Sequence, residues 1–393
     1  MQDPAGLSPP DFFVGRQWGR KAAAAPFVFC AAGAMFVTER GCLRLFTEPI
    51  APDLRTTPDP RERCSGHTET MMKKFALAAA FAVLAAPAFA QSYPARSITM
   101  VVPFAAGGPT DIVARVVAEP MSKTLGQTIV IENVAGAGGT TGITRAAGAP
   151  ADGYMIMMGH MGTHGAAPAL YPNLKYDPTK DFAPIGLAAG TPIVIVGQKN
   201  HPANNLQEFI EWAKKQGDKA NHAHAGVGSV SHSTGILLNS LMGTKPTFIP
   251  YTGTGPALND MMSGQVDYMT DQIVNVVSQI QAGTIKAFAI ATPARSPALP
   301  NLPTTKEAGL PTYEVSAWNA IFAPKGTPAD VVAKLNDALV KALDDANVKK
   351  RMDDLGAVMP QGADRTPAAL QKLVESEVAR WTPVLKAAAA SAK

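Results

Sequence analysis

A segment resembling a secretory signal peptide lies at residues 71–90, and it decides which residues of this chain are expected to fold together. It starts with a short basic stretch, continues as an apolar run from Phe75 to Ala86 and ends in an Ala-Phe-Ala cleavage pattern at residues 88–90. The apolar run is shorter than the roughly 20 residues that a membrane-spanning helix needs. We therefore expect residues 71–90 to direct the protein out of the cytoplasm and then to be removed.

The position of this segment divides the chain into parts of different character. Because a signal peptide must lead the chain to be read, residues 1–70 are predicted to be a mis-annotated upstream extension and disordered. All three cysteines (Cys30, Cys42 and Cys64) lie in that extension. The predicted mature protein, residues 91–393, therefore has no cysteine, as suits an oxidising compartment.

The size and the charge of the chain indicate how many lobes and which kinds of partner to expect. A mature part of about 300 residues exceeds the usual size of a single core, so two lobes are expected. The net charge of the chain is only +4, and charges of both signs alternate along the predicted helices. No basic stripe for nucleic acid and no polybasic cluster for a membrane surface is present, so neither is expected as a partner.

The mature part alternates apolar runs with helical patterns. The apolar run Ile98–Phe104 meets a glycine loop and then a helix, and two further strands follow in the same manner, which predicts a parallel, doubly wound sheet. The pattern restarts after Pro192–Val196 and returns to the first lobe after Pro311. We predict an α/β fold in which residues 91–194 and 316–393 form lobe 1 and residues 195–315 form lobe 2, with a ligand closed between them.

Two glycine loops are the strongest candidates for binding. Residues 104–111 and 226–234 each follow a strand and open a helix, where unpaired backbone N–H groups and the helix dipole favour an anion. Neither loop contains Lys or Arg, so recognition would rest on amides, hydroxyls (Thr110, Ser229, Ser231) and water. This composition suits one or two carboxylates better than a polyphosphate, although ordinary strand–helix turns would contain the same glycines.

Other polar residues admit two interpretations each. Asp111 is either the N-cap of its helix or a ligand group, and His164 is either a ligand donor or a solvated loop histidine. The five histidines at positions 160, 164, 222, 224 and 232 could be imagined as a metal set, but no cysteine or acidic neighbour accompanies them. We expect neither a metal nor a cofactor.

Several motifs in one order resemble the Bug family, the extracytoplasmic solute receptors of tripartite tricarboxylate transporters. The motifs are Val102-Pro103-Phe104-Ala105-Ala106-Gly107-Gly108, Glu132-Asn133-x-x-Gly136-Ala137-Gly138-Gly139, Gly226-x-Gly228-Ser229-x-x-His232 and Lys325-Gly326-Thr327-Pro328. The resemblance covers essentially the whole mature part. It implies a type II periplasmic-binding-protein fold, a Venus flytrap whose two lobes close on a small carboxylated ligand.

The resemblance also implies which residues bind the ligand, mainly through backbone amides and two waters. They are Phe104, Ala106, Gly107, Gly108, Thr110 and Asp111 in the first loop, Gly228, Ser229 and His232 in the second, with Thr163 and Asp271 near the cleft. The sequence departs from the family pattern at His160-Met161, where small residues are common, and at Thr270-Asp271-Gln272, where Phe-Asp-Asn is more usual. Both departures flank the expected pocket and concern the far end of the ligand.

The resulting prediction is a monomeric binding protein, not an enzyme. It captures a small mono-, di- or tricarboxylate and passes it to a membrane permease of the tripartite tricarboxylate type. Two alternatives remain open at this stage: an exported serine hydrolase that uses Ser229 and His232, and a ligand sensor for a membrane kinase.

Overall fold

The computed structural model describes residues 93–391; the predicted extension and signal peptide lie outside the described residues. The strands are β1 (Ile98–Val102), β2 (Ile129–Asn133), β3 (Met155–His160), β4 (Phe182–Gln198), β5 (Asn221–His224), β6 (Thr247–Pro250), β7 (Tyr268–Gln272), β8 (Ile285–Ile290) and β9 (Ser316–Pro324). The helices are α1 (Pro109–Leu125), α2 (Thr140–Ala147), α3 (Ala167–Leu170), α4 (Leu206–Gln216), α5 (Val230–Met242), α6 (Thr254–Met262), α7 (Ile273–Gln281), α8 (Ala329–Asp344), α9 (Ala346–Asp354) and α10 (Pro367–Ser391). A short π-helical segment, Met161–Ala166, joins β3 to α3.

The strands form a mixed sheet in two parts. In the first part β1 pairs in parallel with β2 and β3, and β9 runs antiparallel beside β3. In the second part β5 pairs in parallel with β6 and β7. We call these parts, with the helices that pack on them, the first and second lobes.

Strand β4 joins the two lobes. Its residues Phe182–Pro192 pair with β9, whereas Ile193–Gln198 pair with β7 and β8, always antiparallel. The molecule therefore has the two-lobed α/β fold that was predicted. We propose that the lobe boundaries predicted near residues 194 and 316 lie on these two crossing strands.

The sheet differs from the prediction in the crossing strands. Strand β9 and the first ten residues of β4 were not predicted as strands, and their antiparallel pairing makes the sheet mixed rather than purely parallel. The segment FAPIGLAAG at the start of β4 is rich in Ala, Gly and Pro, which are weak strand formers. It is extended because it pairs with β9, more than a hundred residues away in sequence. Helix α7 was also missed.

Helix ends and packing fix the loops that the strands carry. Asn205 caps α4, because its side chain accepts from the Glu208 amide. Helix α1 continues through Pro120 to Leu125. In the second lobe the ring of Phe209 stacks on Phe288 at 4.7 Å. Loops at the strand ends are thus held by a packed aromatic and aliphatic core.

Candidate ligand-binding cavity

A small cavity lies between the two lobes, at the carboxyl ends of several strands. Its volume is about 20 Å³, room for about one water molecule. The lobes are therefore closed on one another around it. The cavity is lined by Phe104, Gly108, Pro109, Thr110, His160, Ala225, Ser229, Val230, Ser231, Thr254, Asp271 and Gln272.

Four helices point their N-termini at this cavity. The N-caps of α1, α5 and α7 (Gly108, Ser229 and Gln272) line it, and so does Thr254, the first residue of α6. Each helix N-terminus carries unpaired N–H groups and a partial positive charge. Among the described residues that line the cavity there is no Lys or Arg. The cavity is thus made attractive to an anion by backbone dipoles rather than by a cationic side chain.

The first glycine loop is held in place by Asp111. One carboxylate oxygen of Asp111 accepts from the Gly107 amide and from Arg115 Nε, each at 2.9 Å. The other accepts from Asn133 Nδ2 at 3.0 Å, and the same amide donates to the Phe104 carbonyl. Burial opposes ionisation of Asp111, but these hydrogen bonds outweigh it and its pKa lies below the usual value.

These contacts correct one interpretation of Asp111. The N-cap of α1 is Gly108, and Asp111 lies in the third helical position. The N-cap prediction for Asp111 is therefore wrong. The carboxylate also points back into its own loop and does not line the cavity; it shapes the loop so that Gly108 and Thr110 reach the cavity. Thr110 donates to no described residue through its amide or its hydroxyl.

The second glycine loop is ordered by hydroxyl groups. Ser229 Oγ caps α5 by accepting from the His232 amide at 3.2 Å, and it lies 3.2 Å from Ser231 Oγ. Ser231 Oγ in turn accepts from the Ala225 amide at 2.9 Å. The amides of Val230 and Ser231 have no acceptor among the described residues, so both are free to bind an anion.

His160 forms another wall of the cavity. Its Nδ1 accepts from the amides of Gly162 and Thr163, at 2.8 and 3.2 Å, and the Thr163 hydroxyl accepts from the His160 amide. The ring stacks on Phe104 with 4.9 Å between centroids. Burial lowers the pKa of His160 to about 3, so the imidazole is neutral.

Asp271 and Gln272 complete the cavity from the end of β7. The Asp271 carboxylate accepts from the Gln272 amide at 2.8 Å and from the Asn275 side chain. Burial raises the pKa of Asp271 to about 7, although these hydrogen bonds oppose the shift. Gln272 Oε1 accepts from Thr191 Oγ1 and Asn319 Nδ2, at 2.6 and 2.8 Å.

The structure brings some of the predicted site residues together and leaves others aside. Phe104, Gly108, Thr110, Ser229 and Asp271 share the cavity. Ala106 and Gly107 face a separate groove beside α6 and α7. Thr163 is occupied by the turn at His160, the Gly228 amide donates to His232 Nδ1, and the His232 ring packs on His224 and Phe248.

Residues that the site prediction omitted also line the cavity. Four of these residues had not been singled out at all: Pro109, Ala225, Val230 and Thr254. The sequence had marked Ser231 only as a hydroxyl donor, and His160 and Gln272 only as departures from the family pattern. Nearly all of them occupy an N-cap or the first turn after a strand. That position, more than the glycine motif, is the signal that would have found them.

Two alternative chemistries lack the geometry they need. The Ser229 hydroxyl meets the backbone amide of His232, while the His232 ring accepts from Gly228, so the two side chains do not form a nucleophile–base pair. Within residues 93–391 no three His, Cys, Asp or Glu side chains are grouped to hold a metal ion. His164 is neither solvated nor at the cavity: its ring is buried and stacks on Phe322 at 4.1 Å.

The comparisons with known proteins agree with this picture. Residues 113–389 match the family described as Tripartite tricarboxylate transporter family receptor. Among solved structures, the chain is similar to MatC (Rpa3494) from Rhodopseudomonas palustris with bound malate, with 50% identity, a TM-score of 0.73 and coverage of 74% of this chain and 99% of that one. In the part of the chain that the structure describes, no helix is both long and apolar enough to cross a membrane.

Two further structures extend the comparison. The periplasmic binding protein BugD is 46% identical with a TM-score of 0.74, over 76% of this chain and 99% of that one. R. palustris Rpa4515 with adipate is 34% identical with a TM-score of 0.72, over 76% of this chain and 98% of that one. The similarity thus spans nearly the full length of each solved protein.

Proposed function

Because the chain belongs to the tripartite tricarboxylate transporter receptor family, we propose that its interlobe cavity captures a small organic acid and delivers it to a permease of the tripartite tricarboxylate type. The protein is a solute-binding receptor, and the predicted resemblance to the Bug family is confirmed. The observation that carries the ligand class is the meeting of four helix N-termini at a cavity lined by no cationic side chain among the described residues.

The ligand class follows from what such a cavity can hold. Backbone N–H groups of Thr110, Val230 and Ser231 are unpaired and can donate to carboxylate oxygens. A polyphosphate carries more charge than these dipoles can balance without Lys or Arg. The relatives MatC and Rpa4515 are described with malate and adipate, both dicarboxylates. We infer that this receptor also takes a small carboxylate.

Capture works by closure of the lobes. Phe104, Gly108 and Thr110 reach the cavity from the first lobe, whereas Ser229 and Asp271 reach it from the second. A ligand that contacts both walls binds the closed state better than the open state, and that differential affinity drives closure. These five residues, with His160 and Gln272, are the ligand contacts that we propose. The binding step needs no bond making or breaking, so the protein acts as a receptor and not as an enzyme.

Location and assembly complete the proposal. The similar protein BugD is a periplasmic binding protein, and a signal peptide at residues 71–90 with cleavage after Ala90 would deliver this chain to the same compartment. We propose that it acts there as a monomer, since each chain contains both walls of the cavity. N-terminal sequencing of the protein recovered from the periplasm would identify the cleavage site.

A thermal-shift screen of the protein recovered from the periplasm tests the function. Malate, succinate, adipate and citrate form the panel, with the corresponding diamides and a neutral sugar as controls. A ligand at one hundred times its dissociation constant adds about 2.7 kcal/mol of stability, which raises the Tm by a few degrees. If a sugar stabilises the protein and no acid does, carboxylate capture is wrong.

A further inference from the structure

The imidazole of His160 is locked in one tautomer. Its Nδ1 accepts two backbone N–H groups, from Gly162 and Thr163, so Nδ1 has no proton and the proton of the neutral ring must be on Nε2. Nε2 has no hydrogen-bond partner among the described residues, and it is not fully buried. Since His160 lines the cavity, this N–H is available to a ligand.

The side-chain amide of Gln272 is locked as well. Its oxygen accepts from Thr191 and Asn319 on the two crossing strands, β4 and β9. The opposite orientation of the Gln272 and Asn319 amides would leave the two N–H groups of Asn319 buried without an acceptor, whereas the present one leaves a single carbonyl oxygen unpaired. Gln272 therefore presents its NH₂ group to the cavity.

Asn319 connects these two residues. It lies opposite His160 in the antiparallel pairing of β3 with β9, and its side chain holds Gln272. We propose that His160 and Gln272 form a distal subsite, in which two fixed N–H donors bind the second carboxylate of a dicarboxylate. This inference rests on the proposed function and names the ligand class within it.

The surroundings favour a carboxylate at this subsite over a neutral acceptor. Both donors line the same small cavity, and two N–H donors match the two oxygens of a carboxylate. The only carboxyl group that lines the cavity in the described residues is Asp271, and its burial favours the protonated, uncharged form. The N-terminus of α7, whose N-cap is Gln272 itself, adds its dipole.

Paired calorimetry with succinate and butyrate tests the subsite, because the two acids have the same chain length and differ by one carboxylate. We expect the wild-type protein to bind succinate at least tenfold more tightly. His160→Phe and Gln272→Leu should each reduce the succinate-to-butyrate affinity ratio about tenfold, as the loss of one hydrogen bond to a charged group predicts. An unchanged ratio in both variants would overturn the proposal.

Matched controls separate the subsite from general packing effects. His201 also accepts a backbone amide through Nδ1 and packs among aromatic rings, but it lies outside the cavity; Gln207 is exposed and bonds the Ala308 carbonyl. His201→Phe and Gln207→Leu should keep the wild-type ratio. Gln272→Glu keeps size and polarity, so it guards against a misfolded Gln272→Leu, and it should lower the ratio further by repulsion.

The outcomes distinguish this inference from the function on which it rests. If the wild-type protein binds succinate and butyrate equally, the distal subsite is wrong while carboxylate capture stands. If it binds neither of these acids nor any acid of the thermal-shift panel, the proposed function fails and the subsite with it. Circular-dichroism melting of every variant confirms that a changed ratio is measured on folded protein.

Discussion

The Asp271 carboxyl lies where an anionic ligand must approach it. Burial raises its pKa to about 7, so it is largely neutral below that pH and charged above it. A charged Asp271 would repel a bound carboxylate in a site with little water to screen it. We expect succinate affinity to be highest near pH 6.5, where the ligand is ionised and Asp271 is mostly neutral, and to fall up to about tenfold for each pH unit above 7. Titration calorimetry at several pH values measures this dependence.

An Asp271→Asn variant isolates the cause. The carbonyl oxygen of the new side chain can still accept from Asn275, but the side chain can no longer ionise. The succinate affinity should therefore no longer depend on pH in this range. Asp267→Asn, four residues away on the same stretch of chain and outside the cavity, should behave like the wild type. A wild-type affinity that does not change from pH 6 to 8.5 would contradict the role assigned to Asp271.

At this scale the sequence predicted part of the site. Phe104, Gly108, Thr110 and Ser229 lie in the two glycine loops and were named as ligand residues through the resemblance to the Bug family, and all four line the cavity. The function of Asp111 was not visible, because its partner Asn133 becomes a neighbour only after β2 pairs with β1. Hydrogen bonding across a sheet is a consequence of the fold and is not encoded in local spacing.

The loops that connect the elements meet in glycine contacts across the lobes. Gly138, in the loop before α2, has a φ of +61°, and a Cβ there would lie 1.7 Å from the Val227 carbonyl oxygen in the second loop. The Tyr171 hydroxyl lies 2.7 Å from the carbonyl oxygens of both Ala137 and Val227. The closed state therefore depends on the absence of a side chain at Gly138.

A Gly138→Ala variant should prevent full closure. We expect at least a tenfold loss of succinate affinity, because the ligand must then bind to a state in which the lobes remain apart. Gly126→Ala is a matched control, since Gly126 has a similar φ of +69° but nothing within 4 Å of the added Cβ. Both variants carry the same backbone strain. Small-angle scattering with and without succinate measures closure, and equal compaction of the two variants would contradict this expectation.

Elements with local partners could be predicted, whereas elements with distant partners could not. Strands β1, β2 and β3 and the helices between them were predicted from apolar periodicity. Strand β9 and the start of β4 pair with each other across more than a hundred residues. These strands contain small and polar residues such as Asn319 and Thr191, which form hydrogen bonds to Gln272. The strands therefore lack the apolar pattern by which an ordinary strand is recognised in a sequence.

The part of the molecule that the structure describes buries its histidines in neutral form, and this should make the protein sensitive to acid. Burial lowers the pKa of six histidines among the described residues, namely His160, His164, His201, His222, His224 and His232. One ring nitrogen of His164, His201, His222 and His224 is buried without a hydrogen-bond partner. A depressed folded pKa gives stability that is complete above the unfolded value of about 6.5 and is lost as the pH falls below it. The raised pKa of Asp271 acts in the opposite direction, but it is one group against six.

Each such histidine costs about 1.4 kcal/mol per pH unit from pH 6.5 down to its own folded pKa, and domains of this kind have only about 5–15 kcal/mol of total stability. We therefore expect the Tm of the ligand-free protein to be constant from pH 8 to 7 and to drop steeply between pH 6 and 4.5, with unfolding at room temperature near the lower value. Circular-dichroism melting across this range measures the drop, and a Tm that stays level to pH 4.5 would show that the histidines are not neutral in the folded state. His201→Phe should make the decline of the Tm shallower by the contribution of one titrating group. The His201 ring is enclosed by Phe209, Trp212 and Phe288, and phenylalanine fits the same space without a site to protonate.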